Sequence, residues 1–357
     1  MTDVAAAHDT IECRPDERLD EGRLHEWLRG RLPGSGGPLR VRQFGGGAAN
    51  LTYHLDLGGS EYVLRRPPLG PVAPSSHDMA REFRVLSVLY RAFPEAPRAF
   101  LFCDDVSVVG TPFFIMERRR GLVVRRTLLE EYARTPDAPR RMSGALVDAL
   151  ARLHAVDYRA LGLGDLGKPD GFVARQVAGW YDRWQKAKVD EVKAMDEVHA
   201  WLAERCPKQS AAALVHNDLK LDNVMLDAAD PGRVVALFDW DMATLGDPLA
   251  DLGALLTYWT EPGDPAPFRA TAMMPTSPGF LSRAELVERY ARSSGRDVSG
   301  IAYYHVLGLF RLAVIAAQIY VRFHRGQTKD QRFSAFGGLI PVVAEAARSR
   351  AAAAVLS

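Results

Sequence analysis

The stretch LVHNDLKLDNVML, residues 214 to 226, places six polar or charged side chains between two apolar runs. They are His216, Asn217, Asp218, Lys220, Asp222 and Asn223. Asn and Asp are common turn formers, so one interpretation is a surface turn. The other is a loop that carries chemistry, because a carboxylate and a carboxamide stand five positions apart on one short segment. The rest of the sequence must decide between the two.

The composition is that of a globular protein with a sizeable core. The chain has 357 residues, of which 47% are hydrophobic and 25% are charged,. It carries 45 Lys and Arg against 44 Asp and Glu, a formal net charge of +1. A chain with so little net charge has no global field to attract nucleic acid or an anionic membrane, and we expect neither as a partner.

Cysteine usage and apolar segments indicate a cytoplasmic protein. Cys13, Cys103 and Cys206 are far apart and odd in number, so we expect neither a disulfide framework nor a zinc site,. The N-terminus lacks the basic and apolar regions of a secretory signal. The apolar residues 306–323 are long enough to cross a bilayer but contain Arg311,. We therefore predict a buried helix there.

The order of the predicted elements indicates two lobes. Helical spacing over residues 17–32 precedes strand-like runs at 39–44, 51–57 and 61–66, a helical pattern at 77–93 and two apolar runs at 99–105 and 111–118,. After residue 122 the long segments are helical, at 140–157, 173–204, 282–293 and 301–325, with short strands at 223–227 and 234–240.

The expected fold class is therefore α+β. Residues 1–117 should form a small lobe with an N-terminal helix and a five-stranded antiparallel sheet, and residues 118–357 a larger, mainly helical lobe.

One glycine-rich stretch resembles a nucleotide-binding motif but lacks the flanking pattern that such a motif needs. GLGDLG (162–167) spells G-x-G-x-x-G, but it follows a helical pattern instead of the strand that precedes a dinucleotide-binding motif,. Lys168-Pro169 comes next, where that motif begins a helix and where a Walker A motif has a hydroxyl that binds magnesium,. We predict a loop that binds no nucleotide.

The polar groups of the opening stretch suit phosphoryl transfer. Asp218 and Asn223 share one loop, and the second short strand ends in Phe238-Asp239-Trp240-Asp241. Phosphoryl transfer needs a base that orients the acceptor hydroxyl and oxygen ligands for Mg²⁺. Asp218 is the candidate base, and Asn223 and Asp239 are the candidate metal ligands.

These residues resemble a known family. HNDLKLDN (216–223), FDWD (238–241), Gly246-Asp247-Pro248 and Asp251-Leu252 are similar to the aminoglycoside phosphotransferase and choline kinase-like family, a branch of the protein-kinase-like fold. The resemblance implies that Asp218 is the catalytic aspartate, that Asn223 and Asp239 hold magnesium, and that GDPxxDL opens a helix supporting the loop. Asp241 would assist either the metal site or the loop. Asp239-Trp240-Asp241 replaces the Asp-Phe-Gly of eukaryotic protein kinases, which favours the small-molecule branch.

The first lobe contains a matching nucleotide site. Gly45, Gly46 and Gly47 lie in a turn whose backbone N–H groups would approach phosphates, with Asn50 and Thr52 adding polar contacts,. Arg65 and Glu82 match the order of the Lys–Glu pair that clamps phosphates in this fold. Arginine here departs from the usual lysine, and either Arg65 or Arg66 could serve as the clamp.

Other candidates complete the site. Backbone groups near Met116, Glu117 and Arg119 would meet the purine edge at the connection between the lobes, although a core strand with a solvated basic turn explains those side chains equally well. His216 would organise the catalytic loop by hydrogen bonding, and Lys220 would steady the γ-phosphate. We interpret His154 as a packing residue, Asp157 as a capping residue and His305 as a satisfied helix histidine.

The expected function is transfer of a γ-phosphate from ATP or GTP, with Mg²⁺, to a hydroxyl of a small molecule. VLRRPP (63–68), GTPF (110–113) and AQIYVRFHRGQT (317–328) are similar to the subgroup of kinase-like domains joined to acyl-CoA dehydrogenases, which implies a hydroxy acid or its thioester. Arg322, Arg325, Lys329 and Arg332 are candidates for binding its charge. Alternatives are an aminoglycoside or amino-alcohol kinase, a nucleotide-binding pseudokinase, and a protein-serine kinase. The sequence leaves the oligomeric state open.

Overall fold

The computed structural model describes residues 9–45, 50–70, 77–208, 212–270, 272–328 and 331–356. The chain divides into two compact units. The N-terminal unit comprises Met1–Arg120 together with Phe238–Asp241, and the C-terminal unit comprises Gly121–Leu237 and Met242–Ser357. The sequence placed the boundary after Glu117 and did not anticipate that Phe238–Asp241 would return to the first unit.

The N-terminal unit is built on an antiparallel sheet of six strands in the order β1-β2-β3-β4-β6-β5. The strands are β1 (Thr10–Ile11), β2 (Leu39–Phe44), β3 (Leu51–Leu57), β4 (Ser60–Arg66), β5 (Ala99–Cys103) and β6 (Phe113–Glu117). The helices are α1 (Glu21–Leu28), α2 (Met79–Leu89) and α3 (Val106–Val109), and a single 3-10 turn covers Pro15–Glu17.

The sixth strand corrects the five-stranded expectation. Thr10 and Ile11 pair with Phe44 and Gln43 of β2, in a segment for which the sequence predicted no strand. The buried Gln43 side chain holds this segment, because its Oε1 accepts the backbone N–H of Arg14 at 3.0 Å. A two-residue strand gives too short an alternation to be recognised from sequence.

The two faces of this sheet carry different residues, because side chains alternate along each strand. On one face Leu51, Tyr53, Leu55 and Leu57 of β3 join Leu24 and Leu28 of α1 in a buried core. The other face receives α2, where Phe83 lies 6.4 Å from Phe114 between ring centroids. Arg65 pairs with Phe114 across β4 and β6, so its side chain lies on the α2 face.

The C-terminal unit is mainly helical, with two small antiparallel sheets in the orders β10-β9-β7 and β11-β8. The strands are β7 (Leu122–Val123), β8 (Ala213–Val215), β9 (Val224–Leu226), β10 (Val234–Leu237) and β11 (Thr244–Gly246). The helices are α4 (Glu130–Ala133), α5 (Ala138–His154), α6 (Phe172–Ala187), α7 (Lys193–Glu204), α8 (Pro248–Tyr258), α9 (Ala266–Ala270), α10 (Arg283–Ser294), α11 (Ile301–His324) and α12 (Phe336–Leu356).

Helix α11 is the central helix of this unit and packs against α6, α7, α8 and α12. By length and composition alone it could cross a membrane, but 56% of its most apolar stretch is buried inside the protein. That pattern is typical of a core helix. It crosses α8 closely, since a Cβ added to Gly253 would come within 2.4 Å of the Tyr304 carbonyl oxygen.

The structure differs from the predicted elements of this unit at one helix and one strand, and it adds a helix. The predicted helix 173–204 is two helices, α6 and α7, separated at Lys188–Val192, where β-branched Val189 and Val192 and the nearby Asp190 have low helix propensity,. Helix α12 was not predicted. The strand expected over 234–240 ends at Leu237, because Phe238–Asp241 packs into the other unit. GLGDLG (162–167) is a loop, as predicted.

Candidate active site

Arg65 and Glu82 form a buried ion pair in the N-terminal unit. Arg65 Nε lies 2.9 Å from Glu82 Oε2, and Arg65 Nη2 donates to Asp239 Oδ1. Burial works against the charge on Arg65, but the carboxylates of Glu82 and Asp239 raise its pKa further above its ordinary range. Burial also raises the pKa of Glu82, an effect that Arg65 partly offsets. Arg65 therefore carries a permanent charge next to Asp239.

The open choice between Arg65 and Arg66 is decided by strand alternation. Arg66 lies on the opposite face of β4, where its guanidinium donates to the Tyr53 hydroxyl at 2.8 Å and to the carbonyl oxygens of Glu17 and Val109. These groups belong to β3, to the N-terminal segment and to α3, and Tyr53 and Val109 are part of the core on that face. Arg65 is thus the arginine that meets Glu82, and Arg66 is structural.

The segment Phe238–Asp241 is anchored in the N-terminal unit by Trp240. Its ring is 1% exposed and meets Phe93 edge-on at 6.1 Å, and its backbone N–H donates to Glu82 Oε1 at 3.3 Å. The residue before it, Asp239, has φ of 67°, a left-handed conformation that is uncommon for residues other than glycine,. The anchored tryptophan and this conformation bring the Asp239 carboxylate to Arg65.

A second polar contact involves Asn50, His77 and Asp241. His77 Nδ1 shares a 2.8 Å hydrogen bond with Asn50 Oδ1 and lies 3.9 Å from Asp241 Oδ2. Burial and the neighbouring Arg65 lower the pKa of His77, so its imidazole is neutral. Asn50 is 3% exposed, and its amide nitrogen has no hydrogen-bond partner within the described residues. A buried donor of this kind suits a phosphate oxygen.

The remaining nucleotide-site candidates are distributed over the same sheet. Gly45 is exposed after β2, Thr52 stands directly opposite Arg65 on β3, and Met116 is buried on β6. Gly46 and Gly47 lie outside the described residues. Two backbone groups of the predicted purine contact already have partners, since the Glu117 N–H donates to the Arg98 carbonyl at 2.8 Å and the Arg119 carbonyl accepts from Arg118 at 2.7 Å. The purine contact itself stays a prediction.

The loop His216–Asn223 in the C-terminal unit is held by a carboxylate of α8. Asp251 accepts the backbone N–H groups of His216 and Asn217, each at 2.6 Å, and His154 Nε2 lies 3.2 Å from it. Asn217 has φ of 65°, and its side-chain amide donates to the Met242 carbonyl at 3.0 Å. The helix opened by GDPxxDL therefore supports the loop, as the resemblance implied.

Asp218 lies in this loop with both carboxylate oxygens in contact with donors. Oδ2 accepts from Lys220 Nζ and from Asn223 Nδ2, the latter at 3.1 Å, and Oδ1 accepts from the Tyr258 hydroxyl at 3.3 Å. The Asn223 amide nitrogen also donates to the Asp218 carbonyl at 2.8 Å, which leaves its own carbonyl oxygen to face elsewhere. His216 is fully buried and accepts the Asp218 N–H at Nδ1, a contact that agrees with the predicted role of organising the loop by hydrogen bonding.

Sequence reasoning missed or misjudged four residues. His77 and Tyr258 were not singled out, and His154 does more than pack, since it contacts Asp251 and the Tyr290 hydroxyl at 2.7 Å. His305 was expected to be satisfied, but its Nε2 is buried without a partner among the described residues. Tyr258 could have been found, because it stands seven residues after Asp251 and therefore on the same face of a helix.

The side chains predicted to bind metal have the chemistry that magnesium prefers. Among the described residues no three His, Cys, Asp or Glu side chains gather as a metal site. Mg²⁺ does not need such a cage, because it binds one or two carboxylates together with waters and substrate phosphates. The Asn223 carbonyl oxygen in the C-terminal unit and the carboxylates of Asp239 and Asp241 in the N-terminal unit are each hard oxygen ligands of the kind that Mg²⁺ binds,.

Comparison with known proteins identifies the family. A sequence model of the phosphotransferase enzyme family, APH, matches residues 40–286, more than half of the chain. The chain belongs to this family. The family, the kinase-like fold and the phosphotransferase class expected from the sequence are therefore confirmed.

The curated relatives include acyl-CoA dehydrogenases. Acyl-CoA dehydrogenase family member 11 of Gallus gallus is 32% identical, over 96% of this chain and 45% of that protein. Family member 10 of Mus musculus is 30% identical, over 95% of this chain and 32% of that protein. The chain spans less than half the length of these relatives. The resemblance to kinase-like domains joined to acyl-CoA dehydrogenases is therefore confirmed.

Solved structures show the same fold. A candidate aminoglycoside phosphotransferase from Ralstonia eutropha has a TM-score of 0.78 at 30% identity, covering 94% of this chain and 98% of that one. A thermostable mutant of aminoglycoside phosphotransferase APH(4)-Ia, in ternary complex with AMP-PNP and hygromycin B, has a TM-score of 0.55 at 19% identity, covering 93% and 97%. The second likeness concerns the fold alone.

Proposed function

We propose that this phosphotransferase moves the γ-phosphate of ATP or GTP to a hydroxyl of a small hydroxy acid or its thioester. The observation that carries the transfer step is the Asp218 carboxylate, which is held by Lys220, Asn223 and Tyr258 on a loop whose backbone Asp251 fixes. A carboxylate held in one orientation can accept the acceptor's hydroxyl proton and aim its oxygen at phosphorus.

The other residues act by position and charge. Asp218 orients the acceptor hydroxyl, and Lys220 neutralises charge that builds on the transferred phosphoryl group. Arg65, kept charged by Glu82, holds phosphate oxygens, and the Asn50 amide supplies a further donor. Asn223 and Asp239 are the proposed magnesium ligands, with Asp241 as a third candidate. Mg²⁺, when bound, would neutralise the β- and γ-phosphates.

A guanidinium on α11 supports an anionic acceptor. Arg311 is half-buried over the Trp180 ring at 5.3 Å, and its Nη2 lies 3.5 Å from Met242 Sδ. Its Nε is buried with no hydrogen-bond partner in the described part of the chain, and none of the ion pairs there involves it. The carboxylate of a hydroxy acid, or a phosphate of the CoA part of its thioester, would supply a counter-charge for this guanidinium. The acyl-CoA dehydrogenases among the relatives agree with an acyl acceptor.

The basic residues named from the sequence are weaker candidates for that role. Arg322, Arg325 and Arg332 are exposed, so water already solvates their charge,. Lys329 lies outside the described residues. Arg311 differs because burial leaves its charge with less solvent.

A phosphorylation screen tests the proposal. Wild type, Asp218→Asn and the turn variant Asp230→Asn are incubated with Mg²⁺, γ-labelled ATP or GTP, and separate pools of hydroxy acids, their CoA thioesters, amino alcohols, aminoglycosides and a serine-rich protein. We expect labelled hydroxy acid or thioester, a loss of about 10² or more in rate for Asp218→Asn, and little change for Asp230→Asn.

Each other outcome has a distinct meaning. Label on amines or aminoglycosides would reject the anionic acceptor but keep the transfer step. Label on polypeptide would indicate a protein kinase. Nucleotide binding without turnover in any pool would reject the enzyme in favour of a pseudokinase.

A further inference from the structure

Tyr258 ends helix α8 beside the proposed catalytic carboxylate. Its hydroxyl donates to Asp218 Oδ1 at 3.3 Å, while Lys220 and Asn223 contact only the other oxygen. Lys220 Nζ also lies 5.2 Å from the centroid of the Tyr258 ring. A carboxylate can rotate about its terminal bond with little resistance, so a donor on each oxygen is what fixes its plane.

Helix α8 is suited to hold that donor still. Asp251 and Tyr258 are seven residues apart and share one face, so a single rigid helix holds the loop backbone at one point and the Asp218 carboxylate at another. The last turns of α8 are locked in place, because Thr257 Oγ1 donates to the Gly253 carbonyl at 3.0 Å and Gly253 contacts the backbone of α11.

The hydroxyl remains a donor at working pH. Burial raises the pKa of Tyr258 to about 12, and the negative charge of Asp218 acts in the same direction. Lys220 and Arg311 lower it only in part. Tyr258 is therefore protonated and cannot itself serve as a base near neutral pH.

We propose that Tyr258 is a positioning residue for phosphoryl transfer, which sets the orientation of the Asp218 carboxylate toward the acceptor hydroxyl. The role rests on the proposed function of Asp218. Tyr258 affects the geometry of the bound complex during transfer and not the affinity for either substrate. Removal of its hydroxyl should therefore lower kcat and leave KM for nucleotide and acceptor nearly unchanged.

The test compares Tyr258→Phe with Tyr303→Phe. Tyr303 is a matched control, since its buried hydroxyl also donates one hydrogen bond, to the Leu202 carbonyl at 2.9 Å on a different part of the unit. Steady-state kinetics use Mg²⁺, ATP and the acceptor with the fastest turnover in the screen. We expect Tyr258→Phe to lose about tenfold or more in kcat, as for one hydrogen bond to a charged group, and Tyr303→Phe to keep wild-type kinetics.

A double-mutant cycle separates positioning from general weakening of the fold. In the Asp218→Asn background, Tyr258→Phe should cause no further loss, because its effect passes through the carboxylate. The positioning role would be overturned if Tyr258→Phe had the kcat of wild type. It would also be overturned if the loss of kcat in the double variant equalled the product of the losses in the two single variants. Either result would leave the proposed function intact. No turnover by wild type would overturn both.

Discussion

Asp251 is a buried carboxylate whose role is to hold backbone, and its protonation should affect stability. Burial alone would raise the pKa of Asp251, but the His154 hydrogen bond and the electrostatic interactions with His154 and His216 hold it below its ordinary value. A lowered folded pKa contributes stability that is fully present above the unfolded value of about 3.9 and is lost as the pH falls through the folded value.

We therefore predict that Asp251→Asn lowers the free energy of unfolding by about 3 kcal/mol at neutral pH, because the amide can accept only one of two buried N–H groups. The difference from wild type should begin to shrink as the pH falls below the unfolded value of about 3.9, and it should be lost once the pH passes the lower folded value, where the native carboxylate is protonated. Urea unfolding across that range measures both effects. Asp157→Asn is the control, since Asp157 also accepts two backbone N–H groups but in an exposed turn. A pH-independent difference would contradict the linkage.

The crossing of α8 and α11 depends on Gly253 and Gly308. A Cβ on Gly308 would lie 2.3 Å from Thr257 Oγ1, and one on Gly253 would meet the backbone of Tyr304. Gly253→Ala should destabilise the protein by about 1–3 kcal/mol, as overpacking does. It should also lower kcat, because the helix carrying Asp251 and Tyr258 must move. Thermal unfolding and kinetics on one preparation measure the two together.

A helical glycine with room around it provides the control for that substitution. Gly338 in α12 is exposed, and an added Cβ meets nothing within 4 Å. Gly338→Ala should leave kcat unchanged and stabilise the helix by up to about 1 kcal/mol through higher helix propensity. If Gly253→Ala behaved in the same way, the close crossing would not be required.

The N-terminal unit is not a continuous piece of chain, and this predicts how fragments behave. It includes Phe238–Asp241, whose Trp240 is nearly fully buried. A fragment of residues 1–120 would lose this tryptophan, which is worth about 3–5 kcal/mol in typical cores. It would also leave Glu82 and Arg65 without their Trp240 and Asp239 contacts.

Since whole domains are stable by only about 5–15 kcal/mol, we expect fragment 1–120 to lack a cooperative melting transition. The same fragment with residues 236–243 joined through a flexible linker should regain protection of its strand amides in hydrogen exchange. The control carries Trp240→Ala in the joined segment and should show no gain. A cooperative transition in fragment 1–120 alone would contradict the prediction.

The sequence predicted the parts of the molecule in which local pattern and packing agree. Strands β2 and β3 were predicted with the bounds they have, because their alternation is regular and glycine turns bound them. The 216–223 loop was recognised because its polar residues interrupt an apolar run. The placement of Phe238–Asp241, the short β1 strand and the contacts of His77 with Asn50 and Asp241 depend on partners distant along the chain, and no local periodicity encodes those.

Asn217 and Asp239 are two of the four non-glycine residues with positive φ in the described ranges. Such conformations cost about 1–3 kcal/mol and persist only where the surroundings enforce them. Selection for heat tolerance alone would therefore favour glycine at both positions. Glycine would remove the backbone strain, but the Asn217 amide and the Asp239 carboxylate would be lost. Variants that survive heating best would include inactive ones, so a laboratory search for hardier forms of this enzyme must score turnover and thermal survival together.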